Sequence, residues 1–232
     1  MGKRHKKKNR IPHIAADLTT QAGRKRARRE MIWGDHGFLR ARFSNLHALS
    51  DEMWRANQPS PRQIGAYKAA LGLGTIINLR GVSTRGYYLL EEEACAAHGI
   101  ELVNYQVFSR DTPTREAVLG TRELFDGLAY PALMHCKSGA DRAGLMSVLY
   151  MIGRKNQSVE QAVAQLGFRY LHIKQGKTGM LDAFFRAALE AGANAPEDFY
   201  RWIAEDYDRM AVKTAFLERR QKFELDRLLG RE

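Results

Sequence analysis

Two cysteines, Cys95 and Cys136, are all that 232 residues contain, too few for a disulfide framework and suited to a reducing compartment. No apolar run approaches the roughly 18 residues needed to span a bilayer. The first residues lack the apolar core of a secretory signal. The seven histidines show no metal-ligand spacing, so no metal and no other cofactor is expected. Acidic residues are scarce, with 26 Asp and Glu against 37 Lys and Arg. A soluble, cytoplasmic protein is the expectation, long enough for one substantial core and a small helical appendage.

The positive excess is local. Residues 1–30 hold eleven Lys and Arg against Asp17 and Glu30, a net of +9 out of +11 for the whole chain. This segment is expected to be a mobile basic tail, read as a solvated arm, an anionic-membrane contact or a nucleic-acid contact. Arg24 to Met31 has the pattern of a short basic helix, with too thin an apolar face to insert into a bilayer.

From residue 31 the chain alternates strand and helix signals. Met53 to Ala56 reads as a short strand. Ser60-Pro61-Arg62-Gln63 is a capped helix start, running to Leu71 and stopping at Gly72. Thr75 to Leu79 is a β-branched, apolar, buried strand. A helix over Tyr88 to His98 and a strand over Ile100 to Val107 follow. Thr112-Pro113 opens a helix reaching about Ala129, and Leu133 to His135 is the central strand. Ser158 caps a helix through Leu166, and from Thr178 the pattern is helical with breaks at Gly192 and Pro196. The fold class is therefore α/β, with a mainly parallel central sheet flanked by helices on both faces and extra C-terminal helices. The expected divisions are a basic tail (1–30), a catalytic domain (31–177) and a C-terminal helical extension packed on it (178–232).

One stretch carries specific chemistry. His135-Cys136-Lys137-Ser138-Gly139-Ala140-Asp141-Arg142 lies between the apolar Ala132-Leu133-Met134 and the small-residue helical run from Ala143 to Leu149. In a strand, tight loop and helix, the loop amides and the first helical turn converge on one point, which suits a tetrahedral anion. Ligands also sit at the carboxyl ends of strands in such sheets, where Cys136 falls. The same amides, the helix dipole and Arg142 favour the thiolate of Cys136, making it a candidate nucleophile. Arg142 offers a planar fork of donors for two phosphate oxygens.

This stretch resembles the signature loop of the cysteine-dependent protein-tyrosine and dual-specificity phosphatase superfamily. Lys137 and Asp141 are similar to the phosphoinositide and bacterial dual-specificity branches. Trp54 to Pro61 and Thr75 to Gly81 resemble the entry and first core strand of bacterial members, so the likeness covers roughly residues 50 to 172. The resemblance implies phosphomonoester hydrolysis through a phosphocysteine on Cys136, with a phosphoprotein, phosphoinositide or inositol phosphate as substrate. Lys137, Ser138, Gly139, Ala140 and Asp141, with Arg142, then form the anion cradle. His135 fixes the cysteine by hydrogen bonding. The general acid is Asp111 in Ser109-Arg110-Asp111-Thr112-Pro113, with Asp141 as the rival; Asp126 lies too far inside a helix.

Lys137, with Arg110 and either Arg80 or Lys174, is read as a basic rim favouring a multiply phosphorylated substrate. Cys95 is read as a small buried hydrophobe, the alternative being a reversible disulfide partner for Cys136. One position departs from the family: Ala143 stands where a Ser or Thr hydroxyl usually helps the thiolate leave. The alternatives are therefore a phosphate-binding module of low turnover, or a nucleic-acid or membrane binder acting through the tail. Rhodanese-like sulfur transfer is disfavoured by the His-Cys start and the five-residue gap to the arginine.

Overall fold

Strands β1 (His47–Ala48), β2 (Met53–Asn57), β3 (Thr75–Asn78), β4 (Glu101–Asn104) and β5 (Ala132–Cys136) form one sheet ordered β1-β2-β5-β3-β4. All pairings are parallel except the short antiparallel β1. This computed structural model describes residues 15–228. Strand β5 is central and buried along its whole length, as its apolar run requires. Its last residue, Cys136, lies in register with Asn57 at the carboxyl end of β2.

The helices are α1 (Gln21–Arg29), α2 (Gly37–Arg42), α3 (Pro61–Leu71), α4 (Gly86–Ala97), α5 (Arg115–Asp126), α6 (Asp141–Gly153), α7 (Val159–Ala162), α8 (Met180–Glu190), α9 (Pro196–Glu205) and α10 (Arg209–Leu228). The expected capping box of α3 forms: Ser60 Oγ accepts from Gln63 N, and Gln63 Oε1 accepts from Ser60 N. Gly72 closes that helix at φ 70°, a left-handed conformation that glycine adopts without steric penalty.

Three elements are shorter than the sequence pattern predicts. Strand β4 stops at Asn104, not Val107, where its partner β3 ends. Helix α5 starts at Arg115, capped by Thr114, because Thr112 and Pro113 are bonded to the α9–α10 turn. The helix capped by Ser158 passes into a 3-10 turn over Val163–Gln165, and the Gln165 carbonyl accepts from Arg55.

Alternation along the strands splits the core. Ile76 and Leu133 face Ile64, Ala94 and Cys95 of the α3 and α4 layer. Ile77, Met134 and Cys136 face the layer of α5 to α9. Residues beyond 177 belong to that second layer: Phe184, Phe185, Phe199, Trp202 and Tyr207 pack on one another with ring centroids 4.8–6.4 Å apart. The division expected at 177 therefore does not interrupt the core.

The basic segment is helical in part, in line with the pattern read over Arg24 to Met31. Residues 21–29 form α1, which buries Ala27 and pairs Arg24 with Glu93 of α4 at 2.7 Å. A π-helical turn, Glu30–Gly34, follows, and Glu30 bonds Arg85 and the Gly86 N–H. The expected mobile arm does not extend over these residues; residues 1–14 lie outside those described. Among the described residues no helix is long and apolar enough to cross a membrane.

Phe184 is fully buried at the centre of the aromatic group. Phe184→Ala is expected to destabilise the whole protein by about 3–5 kcal/mol in urea unfolding. A loss well below this, or a separate transition for the C-terminal helices, would contradict a shared core.

Candidate active site

The loop after β5 is shaped from behind by Arg55 of β2. This guanidinium is fully buried, and its Nη2 donates to the carbonyls of Gly139 (2.8 Å) and Ala140 (2.9 Å). Its Nη1 donates to the Gln165 carbonyl at 2.7 Å, and the group lies 4.1 Å from the Tyr170 ring centre. Asn45 Nδ2 holds the Ser138 carbonyl at 3.0 Å. With these carbonyls turned away, the N–H groups of Ser138, Gly139, Asp141 and Arg142 meet no acceptor among the described residues. For Asp141 and Arg142 this follows from their place in the first turn of α6. Gly139, at φ 75°, sits so close to β2 that a Cβ would lie 2.7 Å from Ala56 C and Asn57 N. Only glycine fits there.

Cys136 is buried at the floor of this loop, with the Arg55 charge beside it. Burial pulls the Arg55 guanidinium down to about 10, still protonated at neutral pH. Free amides, a helix N-terminus and a buried cation around one point form a seat suited to a bound oxyanion.

Arg142 is half-buried, and its side chain has no hydrogen-bonding or ionic partner among the described residues. It lines a cleft with Val107, Phe108, Ser109, Arg110, Asp111 and Arg209. The structure thus brings Asp111 to the cleft that Arg142 borders. The Asp111 carboxylate is engaged: Oδ2 lies 2.8 Å from Arg209 Nη2 and Oδ1 3.0 Å from Lys213 Nζ. Partial burial opposes its charge, but these two cations hold its pKa below the ordinary carboxylate value.

Asp141 is turned elsewhere. Its Oδ1 lies 2.8 Å from Nδ1 of the buried His172, whose Nε2 is 2.7 Å from Asp182 Oδ2. His135, expected to bond the cysteine, instead points its Nε2 to within 2.8 Å of Glu91 Oε1, on the α4 side, without hydrogen-bond alignment. Glu91 Oε2 in turn accepts from Gln58. The residues of the expected basic rim are mostly ion-paired. Lys137 lies 3.4 Å from Asp35, which also binds Arg40 and Arg80, while Lys174 lies 3.9 Å from Asp182. Of the expected rim only Arg110 has no such partner. Among the described residues no three His, Cys, Asp or Glu side chains converge as a metal-ligand set. Cys95 is buried in the other core layer, and burial beside Glu91 raises its thiol to about 12, as befits an inert core residue.

Residues 44–202 match the family described as a DSP-PTPase phosphatase fused to NAD+ kinase. The chain belongs to this phosphatase family. Among solved structures it is similar to TpbA of P. aeruginosa, at 17% identity and a TM-score of 0.53, covering 70% of this chain and 92% of that one. A TpbA variant with cysteine changed to serine, in complex with pTyr, matches at 16% identity and 0.52, covering 69% and 91%. A DUF442 protein from Shewanella putrefaciens CN-32 matches at 19% identity and 0.46, covering 63% and 93%. The two TpbA likenesses bear on the fold alone. No curated protein matches the sequence.

Within this phosphatase site, three groups were not singled out from the sequence: Arg55, His172 and the Arg209–Lys213 pair. Arg55 stood inside the quoted stretch Trp54 to Pro61, but nothing local marks it as the support of a loop 84 residues away. A histidine between two aspartates from distant segments leaves no local signal either.

Burial opposes the charge of His172, yet Asp141 and Asp182 outweigh it and raise its pKa to about 9. Its unfolded value is near the ordinary 6.5. The stabilisation is therefore complete below about pH 6.5 and is lost as pH rises through 9. The stability gap between wild type and His172→Gln is expected to be widest in acid and to narrow over that window in urea unfolding. A constant gap would contradict the assignment.

Proposed function

We propose that the protein is a phosphomonoesterase working through a phosphocysteine on Cys136. The observation that carries this is the cradle: a buried sulfur below amides that meet no acceptor, with the loop carbonyls held back by Arg55 and Asn45 and an unpartnered Arg142 at its edge. The Cys136 thiolate attacks phosphorus, and the bond to the leaving oxygen breaks with its electron pair passing to that oxygen. Asp111, in its protonated form, supplies the proton. Water then attacks the phosphocysteine, giving its proton to the Asp111 carboxylate. The S–P bond breaks back to thiolate, and inorganic phosphate leaves. The amides and Arg142 bind the equatorial oxygens throughout.

The Asp141 carboxylate, held by His172, is poorly placed to serve as the acid. Phosphorylated substrates of protein, lipid or inositol type all present the group this cradle takes. The phosphotyrosine bound by the TpbA variant supports the protein arm. Ala143 supports a second reading: it is fully buried and brings no hydroxyl to the departing thiolate, so the second step is slow and the protein acts chiefly as a phosphate binder.

Cys136→Ser is expected to bind phosphate or orthovanadate and to release no phosphate from any ester. Asp111→Asn is expected to slow alkyl esters on the order of a hundredfold and aryl esters less, because phenolate leaves without a proton more readily. Residual turnover by Cys136→Ser would exclude the mechanism. Equal effects on both ester types would exclude Asp111 as the acid.

A further inference from the structure

The cleft bordered by Arg142 contains more positive charge than a single phosphate requires. Arg110, Arg142 and Arg209 line it against one carboxylate, Asp111, and Lys213 reaches that same carboxylate. If Arg142 serves the scissile phosphate, Arg110, Arg209 and Lys213 remain, and the last two are held by a group needed elsewhere. A carboxylate gripped by two cations is disfavoured from carrying the proton that a general acid must deliver. The grip is well anchored. Arg209 Nε donates to the Thr112 carbonyl at 2.9 Å, Thr112 Oγ1 donates to the Arg209 carbonyl at 3.2 Å, and Tyr207 Oη donates to the Pro113 carbonyl at 2.8 Å. Arg115 Nη2 adds a bond to the Tyr207 carbonyl at 3.1 Å. The backbone beside Asp111 is thus tied to the α9–α10 turn, while the carboxylate meets its two cations through side chains and also accepts from the Thr112 N–H at 3.0 Å.

We propose that Arg209 and Lys213 form a second anion seat, occupied by Asp111 in the structure, and that a second phosphate group on the substrate takes this seat and frees Asp111 to protonate the leaving oxygen. Arg110, exposed on the same cleft wall, closes the seat from the loop side. The substrate is then a phosphomonoester carrying a further phosphate, as monoester or diester. Phe108, 63% exposed, offers an apolar edge on the wall of the same cleft. This inference rests on the proposed mechanism with Asp111 as acid. It places selectivity at the start of α10, whereas Lys137 and Arg80 are held together on Asp35.

Two matched pairs of probes test it and separate the sources of the second phosphate. Fructose 6-phosphate and fructose 1,6-bisphosphate are the soluble pair. Inositol 4-phosphate and short-chain phosphatidylinositol 4-phosphate are the lipid-headgroup pair. Binding is measured on Cys136→Ser protein and kcat/KM on protein with the cysteine intact. In at least one pair the member with two phosphates is expected to be preferred by about tenfold or more, the scale of a charge-assisted contact. Lys213→Met, which removes an ammonium that pairs with Asp111 alone among the described residues, is expected to reduce that preference to within about twofold and to raise turnover of the single-phosphate member. Lys213→Arg is expected to retain the preference. No preference in either pair, a preference untouched by Lys213→Met, or an equal fall for both members would overturn the proposal. Turnover by Cys136→Ser would instead overturn the underlying mechanism, leaving the binding ratios to be judged separately.

Discussion

One buried guanidinium sets the geometry on which the site depends. Arg55 draws the carbonyls of Gly139 and Ala140 toward β2, and the peptide planes carry the neighbouring N–H groups to the opposite side. Without that pull the loop carbonyls would compete for the space above Cys136 and repel an oxyanion. Two further constraints make the arrangement rigid. Gly139 admits the β2 backbone at a distance no side chain tolerates, and Asn45 fixes both the Ser138 and Tyr170 carbonyls. Parallel pairing of β2 with β5 brings these parts together, because it sets Asn57 beside Cys136.

Around this fixed cradle the charges are sorted by neighbour. Asp35 gathers Arg40, Arg80 and Lys137 on one side and fixes their positions. His172 holds Asp141 away from the oxyanion seat, so a carboxylate one residue from Arg142 does not quench it. On the other side Arg142 and Arg110 have no ionic partner among the described residues, while Arg209 and Lys213 are held by Asp111. Electrostatic attraction for anions is thereby concentrated on the cleft between the loop from Val107 to Asp111 and the start of α10.

The cradle was legible in the sequence because its chemistry is contiguous. A strand, a cysteine, a glycine in a tight loop and an arginine in the first helical turn fit within eleven residues, and local rules govern all of them. The layered α/β fold was legible for the same reason, through the capped start at Ser60 and the apolar runs at Thr75 and Ala132. What escaped was set by tertiary contact. Arg55 reaches 84 residues forward, His172 bridges segments 31 and 10 residues away, and Thr112 is tied to Arg209 across 97. The same contacts delay the start of α5. The basic run at Arg24 to Arg29 showed its helical pattern in sequence, but its docking did not, because Glu93, which pairs with Arg24, and Arg85, which pairs with the adjoining Glu30, lie on or beside a helix formed far along the chain.

The most direct test of the proposed chemistry is acid quenching of the enzyme during turnover of an aryl phosphate, followed by peptide mass spectrometry. The account predicts one phosphoryl group on sulfur, confined to the peptide that contains Cys136 and absent from the one containing Cys95. Rapid phosphate release with no phosphorylated cysteine at any quench time would contradict it.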